Sequence, residues 1–385
     1  MHGCRSSLYC IVPPYMLRNI VDNGTAEQRQ QALRNLGSAE AVRVQREVVA
    51  KEGPLEGLLE AAGGLDRIVY SAQNAGNLPG QQVRTEGGPA TGDAAADEAY
   101  DGAGATYHLY KDIYNRDSID GNGARLDSTV HYRVGYDNAF WNGQQMVYGD
   151  GDEDLPVDQR LFNRFTIAID VIGHELTHAV TQFTANLIYQ GQSGALNESM
   201  SDVFGSLVKQ RAKGQTAAEA DWIIGEGLFT ARVNGTGIRN MKQPGTAYND
   251  PVLGKDPQPG HMRDYVQTQS DNGGVHINSG IPNRAFYVTA FNIGGFAWEK
   301  AGQIWYATLY GKLSQSANFV TVAAKTYEAA RDLYGQGSLE QQAVKAGWAE
   351  VGINVEDTTP PDPGTRPGCA TTLTSLARSL FGPRR

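Results

Sequence analysis

A five-residue stretch, His174-Glu175-Leu176-Thr177-His178, set in an otherwise apolar run, constrains this chain more than any other feature. On a helix, residues four apart sit one above the other, so two imidazoles can be aimed at one ion, as tetrahedral zinc requires. Glu175 is turned about a quarter of the way round the helix from that row. Its carboxylate is poorly placed to ligate the ion but can reach a water held by it, which is a general base's position. The flanking Val171, Ile172, Val180 and Phe183 put the helix in a core. Two histidines buried there without a metal or partners would be costly. The stripe Phe165, Ile169, Ile172, Leu176 and Val180 predicts this buried helix over 163–184.

A catalytic zinc takes three protein ligands and keeps one position open. Glu198 supplies the third, in Asn197-Glu198-Ser199-Met200-Ser201-Asp202, where a second helix is expected over Asn197–Arg211. Asn197 and Asp202 flank it and can accept the free imidazole N–H groups, fixing their tautomer. In isolation, Asn197 reads equally well as a helix N-cap and Glu198 as a first-turn partner of the helix dipole. Beside the histidine pair, the ligand reading prevails.

The remaining chain supplies the frame. A length of 385 residues suggests two or three folded units, and a net charge of −9 without a basic run argues against a nucleic-acid partner. No run of apolar residues is long enough to span a membrane. Cys4, Cys10 and Cys369 cannot form a disulfide framework. Residues 14–51 read as helical, Arg67 to Trp141 as short strands with one helix near Asp97–Asn115, and the chain beyond Asn278 as helical to Val351. A Pro-rich linker and basic tail follow. The expected organisation is a helical segment 1–66, a β-rich lobe 67–182 that carries the histidine helix, a helical lobe 183–355 and an appendage 356–385. Met1 to Tyr15 makes a poor signal peptide, so export without a leader is the expectation. Nothing demands an obligate partner, and a monomer is expected.

These motifs together resemble the thermolysin family of zinc peptidases. The resemblance runs from about Tyr70 to Val351 and includes the stretches beginning at Asn138, Ile188 and Asp271. With Val12-Pro13-Pro14-Tyr15 ahead of it, the chain is similar to the protealysin-like branch, which carries a short propeptide. The resemblance implies an α+β, two-lobed fold with the metal helix on the floor of the cleft. It implies a zinc endopeptidase acting on polypeptides, made as a zymogen with its own propeptide as intramolecular inhibitor. It assigns zinc to His174, His178 and Glu198, and the base to Glu175. His276 and Tyr189 become the groups that stabilise the transition state, and Asp271 the carboxylate that orients His276. Asn138 and Ala139 become the edge-strand contacts to substrate, and Arg239 the partner of a substrate carbonyl. Val171, Ile224, Leu228 and Ile238 become an apolar pocket, implying a bulky hydrophobic residue just after the cut.

The chain departs from that pattern at the calcium sites. Lys209, Ile223 and Thr236 stand where calcium-binding relatives carry ligands, and an ammonium cannot ligate Ca²⁺. The expectation is loss of these sites, with Lys209 neutralising Asp170, Asp221 and Glu226. In the propeptide, Cys10 has two readings: a thiolate on zinc's open position, or a small buried hydrophobe. Cleavage of the propeptide is expected near Gly64–Tyr70. The rival readings are a zinc exopeptidase, for which no amine-gripping residues are seen, and a silent scaffold, which the presence of Glu175 and His276 disfavours.

Overall fold

The computed structural model describes residues 10–37, 63–311 and 313–355. The run predicted helical over 38–51 and the tail 356–385 lie outside them. Within the N-terminal segment, helix α1 spans Pro14–Asn23 and a second helix, α2, covers 26–37. Proline suits the first turn of α1, where its missing N–H has no helical partner to lose.

The first lobe is built on a five-stranded mixed sheet. Strand β1 (Arg67–Ser71) pairs antiparallel with β2 (Gln81–Thr85) and parallel with β3 (Leu126–Val130). Beyond β3 lie β5 (Met146–Tyr148), parallel to it, and β4 (Ala139–Trp141), antiparallel to β5. The order β2-β1-β3-β5-β4 leaves β4 on an edge of the sheet, where its outer backbone groups can pair with an extended segment. Helix α3 (Ala94–His108), capped by the Asp93 carboxylate on the N–H of Ala95 at 2.9 Å, packs against the sheet.

Helix α4 (Ile169–Gln182) lies across the centre of the molecule, and all but its first and last residues are buried. It starts later than the apolar stripe predicted. Arg164 and Thr166 are tied to Glu98 at 2.5 and 2.7 Å, and Ala168 is extended, so 165–167 form a separate turn. Helix α5 (Gly191–Lys213) begins earlier than expected, because Ser193 ties its first turn back to the carbonyls of Ile188 and Gln190. Glu198 therefore sits two turns inside α5, and Asn197 is not its N-cap. The second lobe continues with α6 (Asp271–Asn278), α7 (Gly280–Ile293), α8 (Lys300–Gly311), α9 (Phe319–Tyr334) and α10 (Leu339–Glu350).

Two glycines bring α4 and α5 into backbone contact. A Cβ on Gly205 would lie 2.4 Å from the Asp170 carbonyl oxygen, and one on Gly173 would lie 3.0 Å from Gly205 Cα. Any larger residue would part the helices. This approach lets a carboxylate of α5 reach imidazoles of α4.

Candidate metal centre and the cleft beside it

His174, His178 and Glu198 converge, fully buried, as a group able to hold one metal ion. His174 Nδ1 lies 2.8 Å from Asp202 Oδ1, and His178 Nδ1 lies 2.8 Å from Asn197 Oδ1 and 3.0 Å from Ser201 Oγ. A carboxylate only accepts, so His174 carries its proton on Nδ1; the amide oxygen of Asn197 selects the same tautomer in His178. Both Nε2 atoms are then bare lone pairs, and they approach to 3.0 Å. Two lone pairs so close repel unless a cation lies between them. Glu198 completes the set at 3.5 Å from His174 Nε2 and 3.4 Å from His178 Nε2. Its Oε2 is buried without a hydrogen-bond partner. Two neutral imidazoles and a carboxylate with an unsatisfied oxygen fit zinc.

Asp202 anchors this cluster. Arg239 grips both its oxygens, at 2.8 and 2.7 Å, and Asn283 adds a bond of 2.8 Å. Burial alone would raise the Asp202 carboxyl, but the Arg239 guanidinium and the His174 hydrogen bond hold it well below the usual carboxylate range. Arg239 itself is fully buried. Glu175 is buried beside the metal group, and its Oε2 accepts the N–H of Trp141 on β4 at 3.0 Å. That contact fixes the carboxylate toward the edge strand.

Across the cleft, residues 271–274 all take positive φ, and right-handed helix begins only at Val275. Glycine accommodates this at 273 and 274. The loop delivers His276, whose Nδ1 lies 2.6 Å from Asp271 Oδ1 while its N–H donates to Asp271 Oδ2 at 2.9 Å. Its Nε2 lies 3.0 Å from the Cys10 carbonyl oxygen and 3.2 Å from the Tyr189 hydroxyl. With acceptors on both ring nitrogens, His276 holds two protons. Burial opposes that charge, but Asp271 and Glu198 outweigh it and push the ring up to about 9. Tyr189 donates to Glu198; burial, then that carboxylate, push its phenol well up, so it stays protonated.

The N-terminal segment fills the cleft as an extended strand. Cys10 bridges antiparallel to Phe140 of β4, and Ile11 N–H donates to the Ala139 carbonyl at 3.3 Å. Val12 N–H donates to Asn138 Oδ1 at 3.0 Å, and Asn138 Nδ2 returns a bond to the Val12 carbonyl at 3.3 Å. Arg239 Nη1 donates to the Ile11 carbonyl at 3.2 Å. Ile11 is fully buried and joins the same apolar cluster as Val171, Ile224, Leu228 and Ile238. The Cys10 side chain packs with Tyr132, Tyr136 and Phe140. Farther out, Asn19 of α1 donates to Leu253 of the helical lobe at 2.9 Å, and Gln28 of α2 donates to Gln159 of the first lobe at 2.6 Å. The segment thus grips both lobes.

Behind the metal helix, Lys209 is buried among Asp170 at 3.0 Å, Asp221 at 2.8 Å and Glu226 at 4.0 Å, and donates to the Ile223 carbonyl. Burial would depress its ammonium, but Asp170 and Asp221 hold it above its ordinary value. Thr236 is spent on the Ala247 carbonyl. Residues 68–71 are paired on both sides within the sheet, with β2 on one side and β3 on the other. Sequence reasoning missed Trp141, Asn283 and Ser201 as partners of the site. Trp141 stood inside a recognised motif, but its contribution is a backbone N–H, which its residue type does not reveal.

Residues 66–182 match the thermolysin metallopeptidase catalytic domain, 185–353 the thermolysin metallopeptidase alpha-helical domain, and 9–44 the protealysin propeptide. The chain is 50% identical over 346 residues to an extracellular metalloprotease of Pectobacterium carotovorum subsp. carotovorum, covering 90% of this chain and 96% of that one. It is 47% identical over 352 residues to protease PrtS of Photorhabdus sp. (strain Az29), covering 90% and 92%. Among solved structures, the precursor of protealysin, a metalloproteinase from Serratia proteamaculans, matches with a TM-score of 0.80 and 51% identity, covering 90% of this chain and 99% of that one.

Proposed function

Since the chain belongs to the thermolysin metallopeptidases and carries a protealysin propeptide, making it a metalloendopeptidase zymogen, we propose how its own residues divide the work. His174, His178 and Glu198 hold the metal, with Asp202 and Asn197 orienting the rings. Zinc held there would supply Lewis acidity, lowering the pKa of water toward about 7. Glu175 accepts the proton of the attacking water and passes it to the leaving amine nitrogen. His276 and Tyr189 donate to the oxygen of the carbonyl under attack, and a donor of this kind is typically worth about 3 kcal/mol. Asp271 keeps His276 aimed and charged. Asn138, Ala139 and Arg239 hold the peptide backbone on the primed side of the cut.

The observation that carries this reading is the path of residues 10–12. Their carbonyls and N–H groups meet His276, Arg239, Ala139 and Asn138, as an extended peptide lying along β4 would. On this reading the Cys10–Ile11 link takes the reacting position, and the buried Ile11 side chain takes the place of the residue after the cut. This supports a preference for a branched, bulky apolar residue there. It also favours blockade by the Cys10 carbonyl over a Cys10 thiolate on the metal, since the side chain packs against Tyr132, Tyr136 and Phe140. The propeptide is proposed to be cut ahead of Arg67. Lys209 is proposed to stand in for calcium. Export is proposed from the extracellular relative; among the described residues, no helix is long and apolar enough to cross a membrane.

The deciding experiment measures zinc stoichiometry and casein cleavage on processed wild type beside Glu175→Ala. Zinc should stay at one per chain while cleavage drops about 10²- to 10⁴-fold. Loss of the metal with the activity would overturn the division of roles.

A further inference from the structure

Helix α2 meets the first lobe at an unusual place. Asp137, just before β4, and Asp152, in the turn after β5, are both buried and meet the same side chain of α2. One side-chain amide of α2 spans both: Gln31 Nε2 lies 3.1 Å from Asp137 Oδ1 and 2.6 Å from Asp152 Oδ1. One turn on, Asn35 Nδ2 donates to Asp137 Oδ2 at 2.9 Å and to the Gly135 carbonyl at 3.2 Å. The lobe adds only the N–H groups of Leu161 and Phe162, at 2.7 and 2.9 Å from Asp152 Oδ2.

The charges around the pair offer no relief. Asp154, in the same turn, adds repulsion to both carboxyl groups. Arg160, on the facing loop, is committed to the carbonyls of Leu155 and Glu153. His131 is held by Asp150 and Asp93. Among the described residues, no Lys, Arg or His forms an ion pair with Asp137 or Asp152. Two buried carboxylates that share one amide donor and have no counterion are not both ionised at little cost. A shared proton is the condition for burying them.

We infer that Asp137 and Asp152 form a proton-gated docking point, which holds α2 in place while the pair shares a proton and releases it as that proton is lost. With α2 in place, burial and then the neighbouring carboxylate keep Asp137 protonated well beyond the usual range, and burial raises Asp152 to about 6. With α2 lifted away, water reaches both groups and they return toward ordinary values near 4. Docking therefore takes up a proton. The sign follows: the docked state is favoured at low pH and weakens as pH rises from about 4 through the pair's raised range. Carboxamides are suited to this role, because they bridge the half-protonated pair and bring no charge of their own.

This inference rests on residues 10–37 being the inhibitory segment, and its test separates the two. Hydrogen exchange of the α2 amides, corrected for intrinsic rates, would be followed from pH 5.5 to 8.5 in the full-length Glu175→Ala precursor. Protection should fall with pH, by at most tenfold per unit for one linked proton. In the same background, Asp137→Asn imitates the protonated acid and should keep α2 protected with little slope. PH-independent protection in the parent, or an unchanged slope in Asp137→Asn, overturns the proposal. Gln31→Met, which leaves the lobe untouched, is the control should Asp137→Asn fail to fold. It should lose protection mainly at low pH, and a parent-like profile would likewise overturn the proposal. If the parent's α2 opens with pH while the uncleaved wild-type chain gains no activity on a quenched peptide, the docking point stands and the inhibitory reading falls.

Discussion

Asp202 and Asp137 lie almost equally deep, 0% and 3% exposed, yet their surroundings push them toward opposite charge states. Asp202 has a guanidinium on both oxygens and is held ionised. Asp137 has carboxamides and a second carboxyl group, and is driven to keep a proton. Depth alone does not decide the outcome; the counterion does. The difference also separates two kinds of task. The cluster at Asp202 must not change state, because it orients a metal ligand. The pair at Asp137 sits under the N-terminal segment that fills the cleft.

Removing the counterion should collapse the distinction. Arg239→Met strands Asp202 as a buried charge without its cation, and should cost about 3–5 kcal/mol of folding stability, read by denaturant unfolding in the Glu175→Ala background. A loss under 1 kcal/mol would mean the guanidinium is not what sustains the ionised group. Lys209→Met applies the same logic to Asp170, with a smaller expected loss of about 3 kcal/mol, since Asp221 and Glu226 are partly solvated. Calcium should restore part of that loss in the variant, and should leave the wild-type melting temperature unmoved at constant zinc content. A calcium-induced rise of several degrees in wild type would end the view that Lys209 replaces the ion.

The mildest case is His131, half-buried between Asp150 at 2.8 Å and Asp93 at 2.7 Å. The Asp150 hydrogen bond leads, burial opposes and Asp93 adds, so the ring rises to about 9 in the folded chain. A group with a raised folded value stabilises fully below its unfolded value near 6.5, and that contribution fades as pH climbs through 9. His131→Asn should remove this slope from the stability profile between pH 6.5 and 9, at a cost of about 1 kcal/mol after solvent screening. An identical slope in the variant would place the titration elsewhere.

Much of the metal centre could be read from the sequence because its signals are local. Helical spacing aligned His174 with His178, and one nearby acidic motif offered Glu198, Asn197 and Asp202 together. The strands-then-helices pattern gave the two lobes for the same reason. Helix boundaries were less legible, since α4 and α5 begin where Glu98 and Ser193 intercept the backbone rather than where apolar residues do. The extended path of Cys10 to Val12 was not foreseen, although two β-branched residues ahead of a proline pair hint at it. Least legible was the Asp137 and Asp152 pair. Its partners lie 106 and 121 residues away in sequence, and a glutamine on a helix announces nothing until the fold brings it against two acids.

The glycine seam between α4 and α5 has a consequence for metal selection. Because the main chains already touch at Gly173 and Gly205, with the Val208 side chain closing the seam, the helices cannot be squeezed closer. The bite of the chelate is therefore dictated by the scaffold. An ion of a different radius must be met by bending the Glu198 side chain against its surroundings, while the paired rings stay where the backbone sets them. Discrimination between divalent ions then becomes a matter of side-chain strain.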